Sequence, residues 1–348
     1  MSATPHRLDS HHALWGRYSS NLPRHLIGIA RHLQTETMRL LEAEGHGALR
    51  LGFEPYISLV GDEGCRLTDL ADALGISKQA CNQTADEIEQ AGYLKRLPDP
   101  DDRRARRIVL TAKGRALASA GHSAICGLQA GYARMLGDEA FAEFLRVLTR
   151  LVQGLPCHPV RLAPPPGAEL GALLPPLSRH LMQSLMERAR AHGHPGLKLS
   201  HGQVLGLIGP SGGRMQVMAR IQQVSKQAIG AVARDLESQG YIGRSPDPDD
   251  ARQMVLALTP RGVQLLEDSI AAVDELSAGC RDLLGARALA LLERRAAALY
   301  AALGLEQEVF ATPDELGRLA RSLKQQLGPQ GARALARLLQ GATEESRT

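Results

Sequence analysis

The sequence predicts a mainly α fold made of two similar α+β halves, each a set of helices around one small β-hairpin with long helices at its ends. Three observations predict it. The chain repeats itself at an offset of 148 residues without a gap. In each copy the apolar residues keep a helical period that is broken once, by two short extended segments. A proline-dense stretch separates the copies.

The repeat is legible residue by residue. Ser77-Lys78-Gln79-Ala80 recurs as Ser225-Lys226-Gln227-Ala228, and Gly92-Tyr93 as Gly240-Tyr241. Pro98-Asp99-Pro100-Asp101-Asp102 recurs as Pro246-Asp247-Pro248-Asp249-Asp250, and Leu110-Thr111 with Gly114 as Leu258-Thr259 with Gly262. Upstream, Arg31-His32-Leu33 matches Arg179-His180-Leu181. A period this long means two domains, not a solenoid of short units. The expected organisation is a first domain over 22–155, an extended proline-rich linker over 156–175 that includes Pro175-Pro176, and a second domain over 176–303. A helical extension over 312–341 follows, opened by the capping pattern Thr312-Pro313-Asp314-Glu315.

The elements of the first copy follow in order. Leu26 to Leu41 is amphipathic and ends at Gly45; Glu54 to Val60 is a second, short helix. Leu67, Leu70, Ala71 and Leu74 fall at i, i+3, i+4 and i+7, which makes a third. Gly75 supplies a tight turn and Ser77 an N-cap for the helix Lys78 to Gln90. Its buried face should be Cys81, Thr84/Ala85 and Ile88, and Gly92 takes the left-handed position after it. Tyr93 to Leu97 and Arg106 to Leu110 read as strands joined by a polar turn. Thr111 caps the long helices that run to about Leu151, and their counterparts run to about Leu303.

Length and composition bound the function. A chain of 348 residues suits about two ordinary domains. Its 44% hydrophobic and 22% charged residues exclude a disordered or fibrous protein. Five cysteines without CxxC spacing read as reduced thiols rather than a disulfide frame. No apolar signal region and no membrane span is seen, so a cytoplasmic protein is expected. The 3% aromatic content argues against base-stacking platforms for single strands or RNA. No P-loop, dinucleotide fingerprint, GxSxG or HExxH occurs, so the chain does not read as an enzyme. The net charge of +4 permits a polyanionic partner without arguing for one; charge placement decides.

That placement is specific. Two short helices joined by a tight turn form a helix-turn-helix, whose second helix would lie in the major groove. Its exposed N-terminal residues are Lys78, Gln79, Asn82 and Gln83. Gln and Asn can pair bidentately with adenine, and Lys can reach guanine acceptors. A Lys/Gln/Asn face alone is also what a solvated helix looks like; the hairpin decides. It carries Arg103, Arg104, Arg106 and Arg107, with Lys95 and Arg96 on the opposite strand. Such a ribbon suits phosphates and the narrow minor groove. Asp101 and Asp102 would brace the arginines. Each half is therefore expected to be a winged helix-turn-helix.

The stretch SKQACNQTADEIEQAGYLKRLPDPDDRRARRIVLTAKG resembles the signature of the MarR family. That family has a recognition helix, a Gly-Tyr or Gly-Leu exit, a DxDRR-type wing and an LTxxG helix start. The resemblance covers roughly residues 22–155 and 170–303. It implies terminal helices that form a dimer interface, near-palindromic double-stranded DNA as partner, transcription regulation (often repression), and release by a small aromatic or phenolic effector. With two copies in one chain, it implies an intrachain pseudo-dimer, with further homodimerisation left open. No cofactor is implied.

The candidate DNA-binding residues are therefore Ser77, Lys78, Gln79, Asn82, Gln83, Arg103, Arg104 and Arg106 in the first copy. Ser225, Lys226, Gln227, Arg234, Arg244 and Arg252 are those of the second. The second copy departs from the pattern. It has Ala251 for Arg103, Met254 for Arg106 and Gln223 for Gly75, which reads as a weaker or differently specific reader. An alternative is a winged-helix pseudo-dimer that has lost DNA binding and works through ligand or protein contacts. His11-His12 and His192-Gly193-His194 lack the spacing of a metal site. Cys81 reads as a buried small hydrophobe, and Cys65, beside Arg66, as the more reactive thiol.

Overall fold

The computed structural model describes residues 14–61, 63–99, 106–157, 166–208, 212–222, 224–246 and 254–305. The first copy runs α1 (Leu22–Ala43), a 3-10 turn (Leu51–Phe53), α2 (Glu54–Val60), β1 (Cys65–Arg66), α3 (Leu67–Leu74) and α4 (Lys78–Gln90). It continues through β2 (Leu94–Pro98), β3 (Arg106–Leu110), α5 (Ala112–Leu136) and α6 (Asp138–Gly154). The second runs α7 (Glu169–Ala191), α8 (Leu199–Leu205), β4 (Gly213–Arg214), α9 (Met215–Gln222) and α10 (Lys226–Ser238). It ends with β5 (Ile242–Pro246), β6 (Met254–Leu258), α11 (Pro260–Leu284) and α12 (Ala286–Ala302). From β1 to α6, every element returns 148 residues later with the same length. The proposed tail helices at 312–341 lie outside the described residues.

Each copy holds one three-stranded antiparallel sheet, ordered β1-β3-β2 and β4-β6-β5. The hairpin register sets Leu94 opposite Leu110 and Pro98 opposite Arg106. β2 is an edge strand, so Pro98 removes no ladder donor that a neighbour needs. Leu70, Ala71, Cys81, Ala85, Ile88, Tyr93 and Ile108 close the first copy's small core.

One joint recurs in both copies and explains the Leu-Thr-x-x-Gly pattern. Thr111 accepts from the Gly114 N–H (3.0 Å) as N-cap of α5 and donates its hydroxyl to the Gly92 carbonyl (2.6 Å). Thr259 repeats both bonds at 3.1 and 2.6 Å. A Cβ on Gly114 would stand 2.1 Å from the Tyr93 carbonyl oxygen, and one on Gly262 2.1 Å from that of Tyr241. Glycine is required there because helix and strand end touch through backbone.

The chain forms two compact units that cut across the repeats. One runs up to Leu199 and takes back Leu265–Leu303; the other includes Ser200–Gln264. In the first unit, α1 packs on α7 and α6 on α12, each helix against its own counterpart. α12 also packs on α1, and α6 on α7, which is the same contact with the copies exchanged. The physical reason is amphipathicity: Leu26, Ile29 and Leu33 of α1 and Leu173, Leu174 and Leu177 of α7 are fully buried. Gly28 lets α1 approach the Tyr300 ring of α12, and Gly154 lies against Leu283 of α11.

The linker expectation needs correction. Pro175 and Pro176 lie inside α7, which begins at Glu169. An interior proline costs a helix about 3 kcal/mol. Burial of Leu170, Leu173, Leu174, Leu177 and Leu181, at about 1.5–3 kcal/mol each, outweighs that. Gln129 of α5 also fixes the helix start, accepting from the Leu170 N–H (2.9 Å) and donating to the Glu169 carboxylate.

Two predictions follow from this packing. Gly114→Ala should destabilise the protein by about 1–3 kcal/mol in urea melts, the usual cost of overpacking. His25 is buried against the Tyr300 ring (centroids 4.9 Å apart) with Nδ1 unpartnered, and its counterpart in the second copy is Leu173. Burial, and then the charge of Arg24, push its pKa down to about 4. The unfolded chain thus binds the proton more readily, so the stability tied to neutral His25 is present above pH 6.5 and is lost as pH falls toward 4. His25→Leu should flatten the fall in stability over that window by about 2 kcal/mol in pH-dependent urea melts.

Candidate nucleic-acid interface

The turn between α3 and α4 is built by Gly75 at φ 65°, which closes α3 in the left-handed region. The Ile76 N–H returns to the Ala71 carbonyl (3.1 Å). Ser77 then accepts from the Ala80 N–H at 3.1 Å and starts α4. Cys81, Ala85 and Ile88 anchor the helix in the core. Ser77, Lys78, Gln79, Asn82 and Gln83 are all exposed on its outer N-terminal face. α10 is built alike: Ser225 accepts from Ala228 N–H at 3.1 Å, and Ile229, Gly230, Ala233 and Leu236 are buried. Ser225, Lys226, Gln227 and Arg234 are exposed.

The first wing differs from the expectation at two arginines, Arg96 and Arg107. Arg96 does not face outward as a phosphate clamp. Its guanidinium pairs with Asp86 (2.6 Å) and Glu89 of α4, and donates to Asn82 Oδ1 at 3.2 Å. Its backbone N–H donates to Glu89 at 3.0 Å, and Asn82 Nδ2 donates to Asp86 at 3.0 Å. Arg96 therefore fastens the wing to the recognition helix and fixes the Asn82 carboxamide. Arg244 pairs with Glu237 (2.9 Å) at the equivalent place. The exact recurrence of both partners at the repeat offset is the sequence signal for this strut. Arg107 is also turned inward, donating to the Glu63 and Gly64 carbonyls at 3.0 and 3.1 Å.

A third arginine is held by a carboxylate that the sequence reading left unassigned. Asp99 is buried and pairs with Arg66 of β1 at 2.7 Å. Lys95 and Arg106 are exposed on the wing. Arg103, Arg104, Arg252, Asp101 and Asp102 lie outside the described residues.

The two recognition helices carry different charge. α4 has Lys78 against Asp86, Glu87 and Glu89; α10 has Lys226 and Arg234 against Asp235 and Glu237. Arg234 stands where Asp86 stands in the first copy. Loss of wing cations in the second copy is thus partly offset on its helix.

A cavity of about 390 Å³ opens between α1, α2, α5 and α7. Leu33, Leu41, Leu117, Ile125 and Pro175 give it apolar walls, and Arg50, Glu54, His122 and Arg179 polar ones. Burial pushes the Glu54 carboxyl pKa up, against its Ser58 hydrogen bond (2.9 Å) and the nearby Arg179 charge. Arg50 Nη1 also reaches Glu87 of α4 at 2.6 Å.

Burial suppresses the two thiols that the sequence singled out. Burial pushes Cys65 up to about 11, which corrects the expectation of reactivity, and Cys81 is fully buried. His192 pairs with Glu275 at 2.9 Å and His194 with Asp268 at 2.8 Å. Among the described residues no group of three or more His, Cys, Asp or Glu is placed to hold a metal ion, and no helix is long and apolar enough to cross a membrane.

A capped helix-turn-helix, an antiparallel wing and long flanking helices define the winged helix-turn-helix class of DNA-binding proteins. The MarR family model matches residues 56–105 and 196–253, one segment in each copy. In both repeats the chain is similar to the MarR family of transcription regulators. Among solved structures it is similar to a MarR-family regulator from Rhodococcus sp. RHA1, at 22% identity over 41% of this chain and 98% of that one, with a TM-score of 0.33. It is also similar to CouR from Rhodococcus jostii RHA1 bound to p-coumaroyl-CoA, at 23% identity over 34% and 91%, TM-score 0.27. A mutant MepR of S. aureus bound to an oligodeoxyribonucleotide is 20% identical over 36% and 95%, TM-score 0.27.

The strut gives a prediction. Arg96→Gln should lower the stability of the first wing by about 1–2 kcal/mol, read as faster amide exchange in β2 and β3. Arg106→Ala, at an exposed position, should leave that exchange unchanged.

Proposed function

We propose that the chain is a sequence-specific, double-stranded-DNA-binding transcription regulator, a ligand-responsive repressor acting in the cytoplasm as a single-chain pseudo-dimer on an asymmetric operator. The observation that carries this reading is the double occurrence of one exposed face, Ser-Lys-Gln-Ala at the capped start of α4 and α10, beside equivalent wings.

In this reading Lys78, Gln79, Asn82 and Gln83 meet base edges in one major groove, and Lys226 and Gln227 in the next. Arg103, Arg104, Arg106 and Arg252 lie on backbone or in the minor groove. Arg234 neutralises a phosphate near the second half-site. Arg244, paired with Glu237, acts chiefly by holding its wing. The reciprocal pairing of α1 with α7 and α6 with α12 supports the pseudo-dimer, because a two-fold contact joins each surface to its own copy. Recognition helices so related meet grooves about 34–36 Å apart. The repeats act as two functional domains, 22–155 and, counted from the start of α7, 169–303, with 312–341 available for pairing with a second chain. The cavity has the size and apolar walls for a small aromatic or phenolic effector.

Footprinting on the DNA flanking its gene, followed by electrophoretic shifts, tests this. One chain should protect two unlike half-sites. Lys78→Ala/Gln79→Ala should weaken binding more than Lys226→Ala/Gln227→Ala, by about tenfold, since each good base contact is worth about 1–3 kcal/mol. Arg234→Ala should lower the salt slope by about 0.9 without changing sequence preference. Equal losses from both pairs would sink the asymmetry, and absence of sequence-preferential binding would sink the whole reading.

A further inference from the structure

The packing of the two repeats on each other is reciprocal in its helices but not in its side chains. Three glycines there each receive a side chain of the other repeat. A Cβ on Gly28 of α1 would overlap the Tyr300 ring of α12, and one on Gly154 of α6 the Leu283 side chain of α11. One on Gly171 of α7 would stand 2.8 Å from Ile125 Cδ1 of α5. None of the three glycines recurs: at the repeat offset stand Pro176, Ala302 and Pro23. Nor do the side chains that they receive, whose counterparts are Val152, Met135 and Val273.

The exchanged contacts are accordingly built in other ways. Where α12 meets α1, the rings of Tyr300 and His25 lie 4.9 Å apart beside Gly28. Where α6 meets α7, the same positions hold Val152, Leu173 and Pro176, all buried and all aliphatic. Leu283 lies on Gly154, whereas its counterpart Met135 is 53% exposed.

Like repeats cannot reproduce this fit. In a pair of second repeats, α12 would set Tyr300 on Pro176 and α11 would set Leu283 on Ala302, each twice by symmetry. The space that a glycine leaves is gone at both places, and a close-packed contact is destabilised by excess volume. In a pair of first repeats, Val152 would face Gly28 and leave the space of the tyrosine ring unfilled. Ile125 would meanwhile fall on Pro23. Unlike repeats match at all three places.

We propose that the terminal-helix face of each repeat is an interaction surface specific for the unlike repeat, and that it rejects a second copy of itself. The partner that the first repeat fits is a second repeat, supplied by the same chain. The selectivity is steric, made by three glycine seats and the side chains that fill them. A chain therefore closes on itself, and like halves of two chains do not join through these helices. Every closed unit then carries one recognition helix of each kind. This rests on the pseudo-dimer reading above.

Two polypeptides, 1–160 and 161–348, carry the whole chain without its covalent link. They are unfolded in urea and refolded as an equimolar mixture, and native mass spectrometry counts the pairs. The mixed pair should exceed either self-pair by about tenfold or more, since two overpacked contacts oppose each self-pair of 161–348. Leu283→Met/Tyr300→Val, which gives the second repeat the side chains of the first, should let pairs of 161–348 appear. Pairs in statistical proportions, or a share of self-pairs that this variant leaves unchanged, would overturn the proposal and leave the pseudo-dimer reading standing. Halves that refold and stay single would overturn both. The unbroken chain decides if the halves do not refold. There Gly28→Ala and Tyr300→Val should each lower the urea midpoint, and the double variant should lower it by less than the two losses together. Additive losses would overturn the fit of ring to seat, and the proposal with it.

Discussion

The architecture depends on the apolar stripe of α1. Leu26, Ile29 and Leu33 cannot stay in water, and the surfaces that cover them come largely from the other repeat, through α7 and α12. Burial of three such side chains is worth about 1.5–3 kcal/mol each, a large part of ordinary domain stability. A single repeat would expose this face. The duplication therefore supplies in one chain what would otherwise need a second molecule. The same requirement draws two prolines into α7 and makes the compact units cross the repeat boundary.

A second constraint sits at the other end of each repeat. The Thr-Gly joint fixes where α5 leaves the wing, and a cation lies over the tyrosine ring beside it in both copies, Lys113 at 4.2 Å and Arg261 at 4.7 Å. With the wing so placed, Arg96 and Arg244 tie it to the recognition helix from within. Recognition helix and wing are then fastened to each other in both copies. That matters because base discrimination needs bond geometry held to fractions of an ångström, while phosphate attraction does not.

Much of this was legible in the sequence, for a definite reason. α2, α3, α4 and β3 begin and end where caps, glycines and periodicity place them, because these signals are local. Ser77, Gly75, Gly92 and Thr111 act on backbone within a few residues. What was not legible depends on distant partners. The start of α7 at Glu169 is set by Gln129 and by leucines packed on another helix, so local proline chemistry misled. Arg96 and Arg107 read as free cations because their partners lie across the hairpin or before it. Asp99 read as part of a turn, although its carboxylate is buried against Arg66. The cavity could not be read at all, since its walls come from four helices of both repeats.

The charge on the recognition helices sharpens the meaning of the asymmetry. A damaged wing suggests that the second repeat is simply the weaker half. Yet Arg234 replaces Asp86, and among the described residues Arg244 pairs with Glu237 where Arg96 engages Asp86, Glu89 and Asn82. In the first repeat, carboxylates serve the strut and hold Asn82 in one orientation, which favours reading bases. In the second, the strut is simpler and the helix is more cationic, which favours holding phosphates. On the proposed reading, the repeats divide the work between specificity and affinity. Selection on a fused chain permits this, because a symmetric dimer must place every substitution in both halves at once.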